Sequence, residues 1–205
     1  MIRWAQEHAD WVLGFQDEVW WSRFKPASLS SWCTDDAPMR LVQQNKAKDD
    51  TDPKAFACYG LMLRHDERNG EPSHEMLLRF VDGRTNSDIT IQFLDWCCTG
   101  LAARGKRALL MIWDNATWHT SKAVQDWIRD HNRQVKRSGH GVRLIDFLLP
   151  IKSPWLNPIE PMWAHAKRRI IEPDGTLSAQ ELADRVCAAL GCDHLPHLPI
   201  TENVT

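Results

Sequence analysis

Between residues 13 and 21 apolar and polar side chains alternate. Leu13, Phe15, Val19 and Trp21 share one parity, while Gln16 and Glu18 fall on the other. Alternation with period two is the mark of a half-buried strand, so a strand is predicted over 13–21. Asp17 lies on the apolar parity, where an unpaired carboxylate is costly and calls for a chemical reason. The stretch 28–53 is polar, is broken by Pro38 and by Asp pairs, and reads mostly as loop. Residues 54–63 and 74–81 read as two further strands, joined as a hairpin by the turn signal Asn69-Gly70. Ile91, Leu94, Cys98 and Leu101 recur at helical spacing, predicting a helix capped by Ser87 or Asp88 and ending before Gly105. A continuous apolar run over 107–113 predicts a strand buried on both faces, and 142–149 reads as another buried strand. Helices are predicted over 121–134, 157–171 and 178–190, the last opened by the capping box Ser178-x-x-Glu181. Three consecutive strands followed by helix, strand, helix, strand and two helices make an α/β sheet, part antiparallel and part parallel.

Composition narrows the class. At 205 residues, 43% hydrophobic and 25% charged, the chain fits one folded domain or a domain with a small appendage. That length supports a core without disulfides or a structural metal. The formal net charge of -2 counts mildly against a DNA function, since a protein whose sole task is gripping nucleic acid by its backbone is usually much more basic. Contacts to DNA must come from local patches or from another domain. Cys33, Cys58, Cys97, Cys98, Cys187 and Cys192 form no C-x-x-C pair and read as buried free thiols in a reducing cytoplasm. The first ten residues contain no signal-peptide core, and the densest apolar run, 108–113, is too short to span a bilayer. A cytoplasmic protein without membrane association is expected.

Two segments carry candidate chemistry. Asp114 directly follows the apolar run 107–113, at the carboxyl end of a strand where α/β sheets form their sites. Taken alone, Asp114 serves equally well as a turn residue. The segment Leu149-Pro150-Ile151-Lys152-Ser153-Pro154-Trp155-Leu156-Asn157-Pro158-Ile159-Glu160 leaves a strand through a proline-stiffened loop and delivers a carboxylate at a helix entrance. Asn157 as N-cap with Glu160 at the third helical position would make a capping box. Pro161 disfavours helical geometry at Glu160 and suggests a helix that begins later. Carboxylates from two strands and one helix start suit hard cations such as Mg²⁺ or Mn²⁺. Two ions about 3.5–4 Å apart activate an attacking oxygen and stabilise a leaving one.

Phe15-Gln16-Asp17-Glu18, Asp114-Asn115-Ala116-Thr117-Trp118-His119 and the block Ser153 to Glu160 resemble the three catalytic blocks of DDE transposases. The pattern is most similar to the six-thirty insertion-sequence family of the mariner-like superfamily. Its most specific element is S-P-x-L-N-P-I-E with a following Trp163 and Lys167. The likeness runs from about Trp11 to Ile171. It implies a ribonuclease H-like mixed sheet of about five strands flanked by helices, two-metal cleavage of transposon ends, and strand transfer into target DNA. It implies Asp17, Asp114 and Glu160 as catalytic metal ligands for two Mg²⁺ or Mn²⁺ ions. Asn115, His119 and Asn157 match further motif positions as supports, and Lys167 with Arg168 falls where a DNA phosphate would be met. The implied partner is double-stranded DNA, both transposon ends and target, bound by a homodimer in a bacterial, nucleoid-associated setting.

The organisation expected is a catalytic domain over 1–175 with a C-terminal helix and tail, 176–205, packed on it. Such transposases ordinarily carry helix-turn-helix modules ahead of the catalytic domain. With Asp17 so close to Met1, the chain reads as a truncated reading frame, an excised domain or one half of a frameshifted product, with an upstream helix-turn-helix polypeptide as a candidate partner. Rival readings are an inactive remnant, a domesticated DNA- or protein-binding module, and another nuclease on the same fold. Cys187, Cys192, His194 and His197 match no zinc-finger spacing. Most of the 11 tryptophans are expected in the core, with Trp118 and Trp155 as candidates for stacking on unpaired bases. The basic groups Arg104, Lys106 and Arg107, and Arg133, Lys136 and Arg137, read first as solvated faces.

Overall fold

A computed structural model describes residues 7–24, 46–68, 71–170 and 176–199. Strand β1 (Trp11–Ser22) is followed by β2 (Ala55–Arg68) and β3 (Glu71–Val81). Then come helix α1 (Ser87–Ala103), β4 (Ala108–Trp113), α2 (Lys122–Ser138) and β5 (Arg143–Leu148). A short 3-10 turn (Pro154–Leu156) leads into α3 (Ile159–Ile170) and α4 (Ala179–Leu190). The element order matches the predicted one. The turn at Asn69-Gly70 and most of the 28–53 loop lie outside the described residues.

The five strands form one sheet in the order β3-β2-β1-β4-β5. β1 pairs antiparallel with β2 and parallel with β4, and β4 pairs parallel with β5. This is the ribonuclease H-like mixed sheet flanked by helices. β1 therefore sits at the centre, and each of its faces is covered. Leu13, Phe15, Val19 and Trp21 pack with Trp163, Ala166, Leu182 and Val186 of α3 and α4. Val12 packs on the opposite side with Ile89, Phe93, Val124 and Ile128 of α1 and α2. At about 25 cal/mol per Å² of apolar surface, these two layers supply the main drive for folding.

Three expectations are corrected. The N-cap of α1 is Asn86, whose side chain accepts from Ile89 N. Ser87 is already helical, and its hydroxyl instead donates to Ser121 Oγ. β5 is not buried on both faces: it is the sheet edge, and Phe147 and Leu148 stand half-exposed. Arg143 and Asp146 interrupt its apolar residues, and charged side chains along a strand suit an edge better than a sheet centre. Finally, α3 begins at Ile159, with Glu160 N donating to Asn157 O. Pro161 is tolerated because its missing N–H falls within the first turn, where no intrahelical partner exists.

The capping box of α4 is present as predicted, with Ser178 and Glu181 bonded reciprocally. Leu182, Ala183, Val186 and Cys187 of α4 enter the same core as β1, and Leu198 N donates to Phe80 O against β3. Cys58, Cys97, Cys98 and Cys187 are buried free thiols. His194 and His197 bond to Asp184 and Asp82. No described helix is long and apolar enough to cross a membrane.

Candidate active site

The site is built where two parallel strands part. β1 and β4 are paired as far as Phe15 and Ile112, after which β4 ends at Trp113 while β1 runs on to Ser22. Asp17 and Asp114 therefore each lie two residues beyond the last paired position of their strands. Because successive strand side chains point to opposite faces, Asp17 and Glu18 lie on opposite sides of the sheet.

Asp17 faces α3. Its Oδ2 accepts a hydrogen bond from Trp163 Nε1 at 2.9 Å. Glu160, one helical turn before Trp163, comes close enough to repel it. Burial first, then the Glu160 and Glu18 charges, push the Asp17 carboxyl up to about 7, against the lowering effect of the Trp163 bond. Two positions of the last motif block thus meet the first. Asn157, itself buried, donates from Nδ2 to Gln16 O at 3.0 Å. Asn157 does not cap the helix with its side chain, as the capping-box reading had it; it fastens the entrance of α3 to β1.

The indole of Trp163 needs a glycine beneath it. Gly60 pairs with Asp17 across the β1–β2 ladder, and a Cβ placed there would lie under 3.0 Å from two Trp163 ring carbons. Gly60→Ala must therefore displace the ring that bonds Asp17. A stability loss of about 1–3 kcal/mol is expected, read as a lower urea midpoint with an unchanged slope. An unshifted midpoint would mean that the ring moves without cost.

Glu18 occupies the other face. Its side chain is 8% exposed, and Oε1 accepts from Gln16 Nε2 at 3.0 Å, His119 Nε2 at 2.8 Å and Trp118 Nε1 at 3.4 Å. His119 is fully buried and stacks on Trp113 with centroids 4.4 Å apart. Its Nδ1 donates to Asp114 Oδ1 at 2.9 Å. Burial opposes a charge on the ring, but the bonds to Asp114 and Glu18 prevail and push His119 up to about 9. Both ring nitrogens then carry protons, each donated to a carboxylate. Asp114 Oδ1 also accepts from Ala116 N at 2.9 Å. The His119 bond is the main reason that the Asp114 carboxyl lies below its ordinary range, with burial opposing it and the Ala116 bond assisting. Asp114 is a turn residue as well as a candidate ligand. Beside it, Asn115 Nδ2 donates to Leu149 O, tying the end of β4 to the end of β5.

Asp17 and Glu160 are thus brought together, while Asp114, just past the end of β4, is engaged by His119 and Ala116 N. Among the described residues, no three His, Cys, Asp or Glu side chains converge into a ready-made metal cage. Lys167 and Arg168 are exposed in the last turn of α3, where cations also suit the helix dipole. The Lys167 ammonium stands 5.7 Å from the Trp21 ring centroid. Arg104 pairs with Glu75, Lys106 with Ala9 O and Arg133 with Asp130.

A sequence-family profile described as "DDE superfamily endonuclease" matches residues 71–182. The chain belongs to this family. The DDE endonuclease chain is also 38% identical over 64 residues to the Transposable element Tcb2 transposase of Caenorhabditis briggsae, covering 31% of this chain and 19% of the relative. Its fold matches a Mos1 strand transfer complex with a TM-score of 0.54 at 14% identity, covering 88% of this chain and 47% of that one. A Mos1 paired-end complex with the left transposon end gives 0.54 at 16%, covering 88% and 48%. A Mos1 mariner paired-end complex with Mn gives 0.52 at 14%, also covering 88% and 48%. The DDE endonuclease chain therefore spans less than half the length of these proteins.

Sequence reasoning missed Glu18. On an alternating strand it reads as part of a solvated face. The available signal was the flanking pattern: a strand with helix-forming segments destined for both sides of its sheet has no solvated face, so an acid there must be partnered. Trp118, a candidate for base stacking, is half-buried and edge-on to His119, whereas Trp155 is 75% exposed.

Proposed function

We propose that this DDE endonuclease domain is the catalytic part of a transposase, cutting DNA strands at transposon ends and joining them to a target. The observation that carries this reading is Asp17: a carboxyl that burial and its acidic neighbours hold near 7 gains from a cation brought between them. The donor set of carboxylate oxygens fits Mg²⁺ or Mn²⁺, with Asp17, Asp114 and Glu160 as the residues that would hold two ions. Bound there, divalent ions supply activation of an attacking oxygen and neutralisation of charge on a leaving one. A solved relative of the same fold is a complex with Mn, which supports the same choice.

The rest is done by the chain. Trp163 holds Asp17 by one oxygen, and Asn157 fixes the start of α3 so that Glu160 faces β1. His119 orients Asp114, and Asn115 keeps the β4 and β5 ends together. Phosphoryl transfer asks chiefly for such positioning and for charge stabilisation. Lys167 and Arg168, exposed on the same helix as Glu160, are the residues proposed to meet a DNA phosphate. We assign the protein to the bacterial six-thirty insertion-sequence family on its S-P-x-L-N-P-I-E block, acting as a homodimer in the cytoplasm on double-stranded DNA. A helix-turn-helix region would supply end recognition. By this reading, 1–175 is the catalytic domain and 176–205 its packed C-terminal extension.

The test is a nicking assay on supercoiled DNA carrying the element's inverted repeats. Nicking with Mg²⁺ or Mn²⁺ and none with a chelator is expected. Metal-independent nicking, or the absence of both nicking and metal binding, would overturn the proposal.

A further inference from the structure

Glu18 belongs to none of the three proposed ligands, yet its carboxylate carries more hydrogen bonds than any of them. Oε1 alone receives Gln16 Nε2, Trp118 Nε1 and His119 Nε2. The last of these leads across a fully buried ring to Asp114. His119 is held by four groups: Trp113 stacked on its face, Trp118 edge-on, and a carboxylate at each ring nitrogen. A ring so fixed has one orientation, and that orientation decides which oxygen of Asp114 is engaged. Oδ1 is, accepting from His119 Nδ1 and from Ala116 N.

We infer that Glu18 is a positioning residue, which through His119 commits Asp114 Oδ1 to the protein and leaves Oδ2 as the oxygen offered to a divalent cation. This rests on the reading of Asp114 as a metal ligand. Groups that orient a metal-bound residue through a hydrogen bond typically change affinity or activity by about tenfold to a hundredfold when removed. A buried acid that only completed the core would change stability on removal and leave metal affinity where it was, because the Asp114 oxygens would keep their orientation without it.

The experiment is a calorimetric titration of Mn²⁺ into the wild-type chain, Glu18→Gln and Asp114→Asn, with thermal melts of each metal-free protein. Glu18→Gln keeps the shape but swaps one acceptor oxygen for an amide. Mn²⁺ binding about tenfold or more weaker than wild type is expected, in a protein that still melts cooperatively but at a lower temperature, because the buried His119 imidazolium keeps one carboxylate of its two. In nicking assays, kcat should fall while the KM for DNA holds. Should Glu18→Gln fail to fold, Trp118→Phe removes one donor from Oε1 and should weaken Mn²⁺ binding severalfold. Wild-type affinity in a folded Glu18→Gln, or in Trp118→Phe where that is the variant used, would overturn the positioning role. No Mn²⁺ binding by the wild type, or undiminished binding by Asp114→Asn, would instead defeat the metal-ligand reading on which it stands.

Discussion

Asp17→Asn is expected to abolish metal-dependent strand cleavage and, at the same time, to stabilise the metal-free protein at pH 8. The loss follows from removing one charged ligand: about 4 kcal/mol of charge stabilisation corresponds to roughly a thousandfold in rate. The gain follows from the position of the group. In the folded chain Asp17 is held up to about 7, from 3.8, mainly by burial and then by Glu160 and Glu18. The folded state therefore keeps a proton that the unfolded state has released, so stability falls as pH rises through this interval. The favourable side of the balance is complete below the unfolded value and gone above about 7. At pH 8 the wild type carries the ionised, repelled carboxylate, at a cost on the order of 2–4 kcal/mol. Asparagine avoids that cost and still accepts the Trp163 bond with its carbonyl oxygen. Thermal melts at pH 5 and pH 8 read the effect: the variant should melt several degrees above wild type at pH 8, with the gap closing at pH 5. A variant less stable than wild type at pH 8 would show that Asp17 is neutralised by a partner within the protein.

Asp114→Asn should lose cleavage to a similar degree but move stability in the opposite direction. Here the folded carboxyl is held below its ordinary range by the His119 bond, against burial, and by Ala116 N–H. A depressed carboxylate contributes stability above its unfolded value and loses it as pH falls through the folded one. Its partner adds to the contrast: His119, pushed up to about 9, contributes fully below its unfolded value and ceases to as pH rises past about 9. Asparagine at 114 leaves a buried imidazolium with one carboxylate in place of two, so a lower melting temperature is expected at pH 7. Half of the Asp114 side chain is in solvent, which keeps the effect modest. Two carboxylates of one proposed metal site thus respond oppositely, and measuring both variants in one melt series separates ligand loss from general damage.

The order of elements was legible because period-two and helical spacing report directly on which faces are buried. The carboxylate blocks were legible too, since Asp17 on an apolar parity and Glu160 after a proline-stiffened loop both depart from what local packing wants. What could not be read was depth and pairing. β5 is interrupted by Arg143 and Asp146 where β4 is wholly apolar, but only the sheet order makes it an edge. Asn86, not Ser87 or Asp88, caps α1, because adjacent residues with similar capping ability differ only in backbone geometry. The Glu18–His119–Asp114 chain spans residues 101 apart in sequence. Such a link exists only once β1 and β4 lie side by side. Gly60 shows the same limit, since nothing in its neighbours along the chain announces the Trp163 ring lying against it.

The convergence of Asp17 with its acidic neighbours on a cation is tested most directly by the pH dependence of Mn²⁺ affinity. A carboxyl held at about 7 must give up its proton before it ligates, so wild-type affinity should rise about tenfold between pH 6 and pH 8. Asp17→Asn should bind weakly and without that rise. Equal affinity at the two pH values, or wild-type binding by Asp17→Asn, would contradict the account.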